Sequence, residues 1–457
     1  MKNLKNSGQS IIEVLVALFI ISLSLSSVIA VVFGGQAVSV DTERNSEGLY
    51  KAQKNLEEIR ALAKEDFSGV SSTSGTDGDY TKDIIVEIID EYTKKVTSKI
   101  SWQTDPLRTQ EVRLVTLLSD PQSAIQSGEG SGGGGGLSGD WSNPQTLGSA
   151  DVGSGNQGTD VAVAGGVVYV STSASSKSKP DVHVFDISNP SAPAKLSDSD
   201  VDAYAVVSLA PAGQYLYGAS TGVIPDLKVV NVSSSTNINL AAEYNVWTWV
   251  NALSIFQQNS VVYLGVEKTS YNGEFFVIDA SNPIDPFERD VFEVNGDVND
   301  IYVSNNIAYV ANSRDDKEML LLDVSDPDNV QELGFLDISG AADGESVFVM
   351  SPERIFLGVG NNLYIVNASN PGSPYLVGLI DVGGIVNDIY AVGYLAFLGT
   401  SNSNREFQVI NISDPENPEL HSSLNFPQVA TGIDYQNNLV FVSVRSNDAL
   451  RIITSAQ

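Results

Sequence analysis

The sequence repeats a nine-residue pattern, which is clearest as VHVFDISNP at residues 182–190, MLLLDVSDP at residues 319–327 and FQVINISDP at residues 407–415. Each copy begins with a nearly continuous apolar run, which is typical of a strand buried on both faces of its sheet. Each run closes with Asp or Asn, and a turn follows because Asx caps its own turn and Pro cannot donate to a sheet. These closing residues, for which we predict a structural role in the turns, are Asp186, Asn231, Asp279, Asp323, Asn367 and Asn411.

The copies recur with a nearly constant period. Successive closing residues are 45, 48, 44, 44 and 44 positions apart, and a seventh copy, LRIIT, ends at Thr454. A strand with a central aromatic residue precedes each copy, at Tyr169, Tyr217, Tyr263, Tyr309, Phe356, Phe397 and Phe441. Seven repeats of this length predict a seven-bladed β-propeller over residues 140–457. Because the last repeat lacks an outer strand, we expect the segment 143–152 to supply it and close the ring.

The strand-and-Asp pattern resembles the LVIVD-type repeat of bacterial surface propellers, and the resemblance runs from residue 157 onward. It implies a propeller fold but no particular function, because propellers support binding, scaffolding and catalysis alike.

One position of the repeated strand varies in chemical type. The residues three before the closing position are His183, Lys228, Phe276, Leu320, Tyr364, Gln408 and Arg451. We therefore expect this position to reach a looser or wetter surface. His183 and His421, the two histidines of the chain, are interpreted as strand residues, with His183 exposed or half-buried, and not as catalytic groups.

The N-terminus has a different character. Lys2 and Lys5 precede an apolar run over residues 11–33, which as a helix would be about 35 Å long, enough to cross a bilayer. The positive-inside rule then predicts a cytoplasmic start and an outer C-terminal part. Glu13 lies inside the run, where a charge costs roughly 2.5–3.5 kcal/mol. A plain signal anchor with Glu13 at the membrane interface is one interpretation.

The stretch GQSIIE at residues 8–13 resembles the class III signal of type IV pilins and pseudopilins. The resemblance implies that a prepilin peptidase removes the leader, residues 1–8, by cutting between Gly8 and Gln9. It also implies that Glu13 pairs with the new N-terminus of a neighbouring subunit, so that the buried charge is compensated on assembly. Gln9 stands where the family usually has Phe, which leaves methylation of the N-terminus open.

A pilin-like module is predicted over residues 9–126. Leu49, Ala52, Leu56, Ile59 and Ala63 form an apolar stripe, so the helix should extend from about residue 9 to 66. Strand patterns within residues 83–102 and 111–118 predict a small sheet at about 80–120. A long helix laid on a small sheet resembles minor pilins and minor pseudopilins.

Between the two parts, residues 127–139 read SGEGSGGGGGLSG. This segment is predicted to be a flexible linker. A phosphate-binding loop is disfavoured, because no Lys-Ser/Thr pair follows the glycines.

Composition excludes several functions. The chain has 25 Lys+Arg and 56 Asp+Glu, and residues 126–457 hold 12 and 39 of these, a net charge of −27. Such a surface is a poor partner for nucleic acid. The absence of cysteine excludes disulfides and thiolate chemistry. No catalytic residue repeats, so we predict neither an enzyme nor a cofactor.

Two weaker site hypotheses remain. Ca²⁺ at the acidic turns 326–328 and 414–416 is an alternative, although neither turn has the spacing of a dedicated Ca²⁺ loop. Four aromatic residues could stack on sugar rings, although packing between blades is favoured. They are Tyr244, Trp247, Trp249 and Tyr271.

The sequence thus predicts a mainly β protein, a propeller preceded by a pilin-like α+β module with a long hydrophobic helix. The favoured function is a minor subunit at the tip of a type IV pilus-like filament that displays the propeller for adhesion or ligand binding. A minor pseudopilin of type II secretion, whose propeller caps the pseudopilus or recruits exported substrate, is the alternative. A glycan-cleaving propeller enzyme is disfavoured.

Partners and location follow from this hypothesis. The partners would be other pilins, a prepilin peptidase, the membrane before assembly, and a surface, protein or glycan ligand. The location would be the cytoplasmic membrane, crossed once with the C-terminal part outside, and then the pilus or cell surface.

Overall fold

A computed structural model gives the architecture of most of the chain beyond the N-terminus. The described residues are 44–45, 47–60, 62, 70–88, 93–105, 108–119, 137–174, 176, 178–201, 204–222, 226–246, 250–270 and 273–456. Gly8, Gln9, Glu13 and the apolar run 11–33 lie outside them, so the predictions about these residues stay predictions. The chain divides into two compact units, residues 1–124 and residues 125–457.

The first unit packs a helix on an antiparallel sheet. Residues 44–45, 47–60 and 62 are helical, and the sheet has the order β1-β2-β3-β4. Its strands are Thr73–Asp77 (β1), Tyr80–Ile88 (β2), Thr93–Asp105 (β3) and Arg108–Ser119 (β4). Ala52 and Leu56 are buried against the sheet as predicted. Leu49 departs from the predicted stripe and is 42% exposed, because Gly48 lies against the ring of Trp102 in its place.

The second unit is built from seven four-stranded antiparallel groups, the blades. The innermost strands are Asn156–Ala164 (β6), Ala205–Ala212 (β10), Ala252–Gln258 (β14), Val298–Ser304 (β18), Gly344–Ser351 (β22), Val386–Val392 (β26) and Ala430–Gln436 (β30). The second strands are Val167–Ala174 (β7), Tyr215–Thr221 (β11), Val261–Val266 (β15), Ile307–Asn312 (β19), Arg354–Val359 (β23), Leu395–Thr400 (β27) and Leu439–Val444 (β31).

The remaining strands complete the blades. The third strands are Val182–Asp186 (β8), Leu227–Asn231 (β12), Phe275–Asp279 (β16), Met319–Asp323 (β20), Asn362–Asn367 (β24), Phe407–Asn411 (β28) and Leu450–Ala456 (β32). The outer strands are Ala194–Ser199 (β9), Asn239–Tyr244 (β13), Phe287–Phe292 (β17), Gln331–Leu336 (β21), Tyr375–Asp381 (β25), Glu419–Leu424 (β29) and Asp140–Ala150 (β5).

The innermost strands form a closed ring. Each contacts its two neighbours, and β30 of the seventh blade contacts β6 of the first. The outer strand of the seventh blade comes from the start of the unit, since β5 pairs with β32. Trp141 in β5 is fully buried, with its ring 4.7 Å from that of Phe397 in the sixth blade. The first strand therefore joins the last blade and covers its edge.

Apolar packing between blades holds the ring. The central aromatic residue of every second strand is buried, from Tyr169 to Phe441. Buried side chains of adjacent blades form shared clusters, for example Tyr309 and Met319 of the fourth blade with Val347 and Leu357 of the fifth. Burial on both faces accounts for the apolar runs in the sequence.

The prediction for the variable position of the third strand is wrong for five of its seven residues, which are buried, while Tyr364 and Arg451 are half-buried. His183, Lys228 and Gln408 occupy it and are at most 1% exposed. The third strand lies between the second and outer strands of its blade, and polar side chains at this position bind partners inside the protein. Lys228 Nζ lies 2.5 Å from Glu243 Oε1, and Gln408 Nε2 donates to the Val382 carbonyl at 2.9 Å.

The predicted location requires a correction. Within the part of the chain that the structure describes, no helix is long and apolar enough to cross a membrane. The described helical residues 44–45, 47–60 and 62 are amphipathic, with charged side chains such as Glu57 and Glu58 exposed beside the buried stripe. The prediction of a single-pass protein of the cytoplasmic membrane, later at the pilus or cell surface, is therefore contradicted.

Candidate ligand-binding face and central channel

The antiparallel blades give the propeller two distinct faces. On one lie the connections from each outer strand to the next innermost strand and from each second strand to the third; we call it the loop face. On the other lie the connections from innermost to second strands and from third to outer strands; we call it the turn face. The closing residues predicted from the sequence all lie on the turn face.

The closing residues act inside their own turns. Each side-chain oxygen accepts a hydrogen bond from the backbone N–H two residues later, which is the geometry of an Asx turn. The acceptors are Asp186 (2.8 Å), Asn231 (3.0 Å), Asp279 (2.9 Å), Asp323 (2.9 Å), Asn367 (3.0 Å) and Asn411 (3.0 Å). Hydrogen bonds from Ser325 lower the pKa of Asp323, so this carboxylate is stabilised in its charged form.

The innermost strands surround a central channel that contains a cavity of about 280 Å³. Five carboxyl groups line it, four from aspartates and one from Glu345 of the fifth blade. The aspartates, here called the channel aspartates, belong to the first, fourth, sixth and seventh blades and are Asp160, Asp300, Asp388 and Asp434. Lys, Arg and His are absent from the side chains that the structure places along this cavity.

Each channel aspartate accepts a hydrogen bond from a backbone N–H of the next blade. Asp300 Oδ1 accepts from Ile301 N at 2.8 Å, and its Oδ2 accepts from Val347 N of the fifth blade at 2.7 Å. The equivalent bonds to the following blade are Asp160 to Leu209 N (2.7 Å), Asp388 to Ile433 N (2.6 Å) and Asp434 to Val163 N (2.7 Å). The carboxylates are therefore used in joining the inner ring.

Burial controls the ionisation of the channel aspartates. It raises the pKa of Asp160 and Asp434 to about 7 and that of Asp300 to about 6. The pKa of Asp388 is raised well above its ordinary value, by burial first and then by the carboxylates of Asp160 and Asp300. Asp160, Asp434 and Asp300 therefore titrate close to neutral pH.

An arc of aromatic rings follows the channel from the third blade to the seventh. Successive ring centroids are 5.1, 5.2, 4.9 and 5.5 Å apart through Phe256, Tyr302, Phe348, Tyr390 and Tyr435. Burial raises the pKa of Tyr390 and Tyr302, so both phenols stay neutral. Rings at these separations attract one another, so the arc stabilises the inner wall of the propeller.

A second set of acids, which the sequence analysis did not identify, organises the loop face. Each lies five residues before a closing residue, and a carboxylate oxygen accepts from the backbone N–H twenty positions later. The pairs are Asp181 to Val201 (3.1 Å), Asp226 to Val246 (3.1 Å), Glu274 to Val294 (2.9 Å), Glu318 to Ile338 (2.7 Å) and Glu406 to Phe426 (2.7 Å). These connector acids fix the segments that lead into the next blade. The repeat alignment contained the signal, since all five acids share one position.

The two histidines have no arrangement for catalysis. Burial lowers the pKa of His183 to about 4, so the ring is neutral. Its Nε2 lies 3.4 Å from Asn156 Nδ2. The interpretation of His183 as exposed or half-buried is therefore wrong, although it is a strand residue. His421 lies in the outer strand Glu419–Leu424 and is half-buried.

The acidic turns are engaged in the same way as the closing residues. Asp326 accepts from Asp328 N and Asp414 accepts from Glu416 N, both at 3.1 Å. Among the described residues, no group of three or more His, Asp or Glu could hold a metal ion. Of the four aromatic residues considered for sugar stacking, Trp247, Trp249 and Tyr271 lie outside the described residues. Tyr244 is half-buried and packs beside the cluster shared by the second and third blades.

A second cavity, of about 310 Å³, opens on the loop face between the seventh and first blades. We call it the seam cavity, because it lies where the ring closes. Its walls come from the start of β6, the segment before β30 and the connection between β31 and β32. The segment before β30 and the connection between β31 and β32 differ from their counterparts in other blades, so the sequence offered no periodic signal for the site.

Comparisons with known proteins agree on the propeller. The LVIVD repeat family model matches residues 155–199, 295–337 and 355–382. No curated protein matches the sequence. All of these results concern the propeller, and the resemblance of residues 9–126 to pilins stays a prediction.

Three solved structures are similar to this chain, and the propeller with the TM-score of 0.50 supports the fold. The WD40 beta propeller domain of Doa1 is similar with a TM-score of 0.50 at 12% identity, over 69% of this chain and 98% of that one. BamB from Moraxella catarrhalis has a TM-score of 0.43 at 10% identity, over 69% and 98% of the two chains. A chain of the Mitotic Checkpoint Complex has 0.47 at 12% identity, over 63% and 85%. The chain is thus mainly β, with LVIVD repeats in a propeller fold.

Proposed function

We propose that this chain is a minor subunit of a type IV pilus-like filament and that its propeller is the ligand-binding head. The observation that carries the binding role is the contrast between the channel and the loop face. The channel aspartates are hydrogen-bonded to neighbouring blades, whereas the loop face carries a polar cavity where the ring closes. Binding residues are often carried by surface connections that a rigid framework positions.

The filament role rests on the N-terminal sequence. GQSIIE at residues 8–13 has the Gly and the Glu of a prepilin signal, followed by an apolar run. The helix that packs on a four-stranded sheet is compatible with a pilin-like module. A propeller of over 300 residues is too large to be carried by every subunit of a packed shaft, which favours the tip.

Binding is tested with the full chain on arrays of glycans and matrix proteins, with and without Ca²⁺. We expect saturable binding to one class of target, which an excess of the same soluble target abolishes. A folded chain that binds nothing on these arrays would contradict the binding head. That result would favour the pseudopilin alternative, in which the propeller caps the pseudopilus.

Filament assembly is tested by co-sedimentation with filaments of the native host. We expect Glu13→Gln to abolish co-sedimentation, because the carboxylate that pairs with the neighbouring N-terminus is lost. Glu57→Gln is the matched control, since Glu57 lies on the exposed side of the helix. Equal co-sedimentation of both variants would contradict the filament role. A secretion defect in the deletion strain, without a binding defect, would support the pseudopilin alternative.

A further inference from the structure

The seam cavity has an unusual composition for this molecule. Its wall side chains are Asn156, Gln157, Gln428, Arg445, Ser446 and Asn447, together with one glycine. No carboxylate lines it, although residues 126–457 have 39 acidic and 12 basic residues. Four amides, a hydroxyl and a guanidinium therefore surround about 310 Å³ of space, within the size range of small-ligand sites.

Hydrogen bonds hold the backbone around the cavity, between the β31–β32 connection and the segment that leads from β5 into β6. Val152 N donates to the Asn447 carbonyl at 2.8 Å, and Gly158 N donates to the Ser446 carbonyl at 3.4 Å. Asn447 Nδ2 donates to Asp151 Oδ2 at 2.7 Å, which fixes this amide. A site held in this way loses little entropy when a ligand binds.

One wall residue has an unmet acceptor. Asn156 is 3% exposed, and its Nδ2 donates to the carbonyls of Val152 and Pro180 at 3.3 and 3.2 Å. Its Oδ1 is buried and accepts no hydrogen bond. A buried acceptor without a donor is unfavourable by about 1–3 kcal/mol, so a hydroxyl that donates to it would be held strongly.

The cavity wall also carries one positive charge, the guanidinium of Arg445. The backbone N–H of Arg445 is bonded to the Val429 carbonyl at 2.9 Å, while its side chain is exposed. A guanidinium binds a carboxylate through two parallel hydrogen bonds. Amides both donate and accept, which matches the hydroxyl groups of a sugar.

We propose that the seam cavity binds an acidic sugar of a saccharide, with Arg445 on the sugar carboxylate and Asn156 and Gln428 on its hydroxyls. This inference rests on the proposed binding role of the propeller and names its ligand class. The occupant is a uronate-like residue, since a neutral sugar would leave Arg445 without a partner and a simple carboxylate would leave the amides without one.

The test titrates the full chain with D-glucuronate, D-glucose and acetate, followed by calorimetry or ligand-observed NMR. We expect glucuronate to bind at least about tenfold more tightly than either of the other two, because only glucuronate engages both sets of groups. Arg445→Gln should lower the glucuronate affinity at least about tenfold and leave the glucose affinity unchanged. Gln428→Ala should weaken glucuronate and glucose alike.

Arg405→Gln is the matched control. Arg405 lies in the equivalent connection of the sixth blade, on the same face, and the substitution removes the same charge. It should leave all three affinities unchanged. Equal losses in both arginine variants would overturn the site and indicate a general charge effect.

Two further outcomes would overturn the inference. One is the absence of glucuronate binding at about 10 mM, where a site with a Kd of about 1 mM would be nearly filled. The other is acetate binding equal to that of glucuronate. If the arrays nevertheless show another target, only the sugar assignment fails and the binding head stands. If glucuronate binds while co-sedimentation fails, the filament role alone is contradicted.

Discussion

Aspartates in the channel and on the turn face make the same hydrogen bond with opposite electrostatic results. Asp300 accepts from Val347 N at 2.7 Å in the channel, and Asp323 accepts from Ser325 N at 2.9 Å in a turn of the same blade. Burial raises the pKa of Asp300 to about 6, while the hydrogen bonds from Ser325 lower that of Asp323. Solvent exposure therefore decides whether the pKa of the aspartate is raised or lowered.

The comparison also separates the roles of these groups. The channel aspartate joins two blades, across 47 positions of sequence, whereas the turn aspartate joins residues two positions apart. The first stabilises the ring and the second stabilises a local turn, so their removal should have unequal effects.

The largest effect is expected for Asp300→Ala. It removes the acceptor for two backbone amides and leaves Val347 N without a partner inside the protein. We expect a loss of about 2–4 kcal/mol in the free energy of unfolding, measured by urea denaturation at pH 7. A loss below that of Asp323→Ala would contradict the assigned joining role.

The pH dependence should be the next largest effect. A carboxyl whose pKa is raised in the folded state binds a proton there first, so its contribution to the unfolding free energy grows as the pH falls. Asp160 and Asp434, with pKa values of about 7, should each raise the unfolding free energy by up to about 3 kcal/mol as the pH falls from 7 to 4.

Below about pH 4, the turn aspartates should lower the unfolding free energy as the pH falls, which is the opposite of the effect of the channel aspartates. Their lowered pKa values, as for Asp279 and Asp323, give stability that is present above about pH 4 and lost on further acidification. Denaturation at a series of pH values should thus show a maximum near pH 4. Stability that falls steadily from pH 7 to pH 4 would contradict the ionisation of the channel aspartates.

The smallest effect is expected for Asp323→Ala. The variant loses one solvent-exposed hydrogen bond within a turn, which should lower the unfolding free energy by about 0.5–1 kcal/mol. Urea denaturation beside Asp300→Ala gives a matched pair within one blade. The pH profile of Asp323→Ala should differ from that of the unmodified protein only below about pH 4.

The repeated part of the fold could be predicted from the sequence, because burial of equivalent strands in every blade makes the apolar residues recur at a constant spacing. The apolar third strands and the aromatic second strands predicted the repeated four-stranded sheets of a propeller. The burial of Lys228 was missed, because a charged side chain in a strand looks exposed until its partner, Glu243, is placed 2.5 Å away by the fold.

The candidate site could not be predicted from the sequence, for a physical reason. The residues of the seam cavity come from both ends of the propeller, since Asn156 and Arg445 meet only because the ring closes. Connections of this kind differ from blade to blade and have no period. The channel aspartates were missed because their role depends on contacts between blades, which one repeat does not reveal.

The central claim is that the propeller binds its target through the loop face. The chain lacks cysteine, so Ser154→Cys and Ser413→Cys each introduce a single labelling site for a bulky maleimide. Both serines are exposed; Ser154 lies on the loop face next to Gly155 of the seam cavity, and Ser413 lies on the turn face. We predict that labelling the Cys introduced at position 154 abolishes target binding on the array, while labelling at position 413 leaves it intact. Loss of binding only on labelling at position 413 would contradict the account.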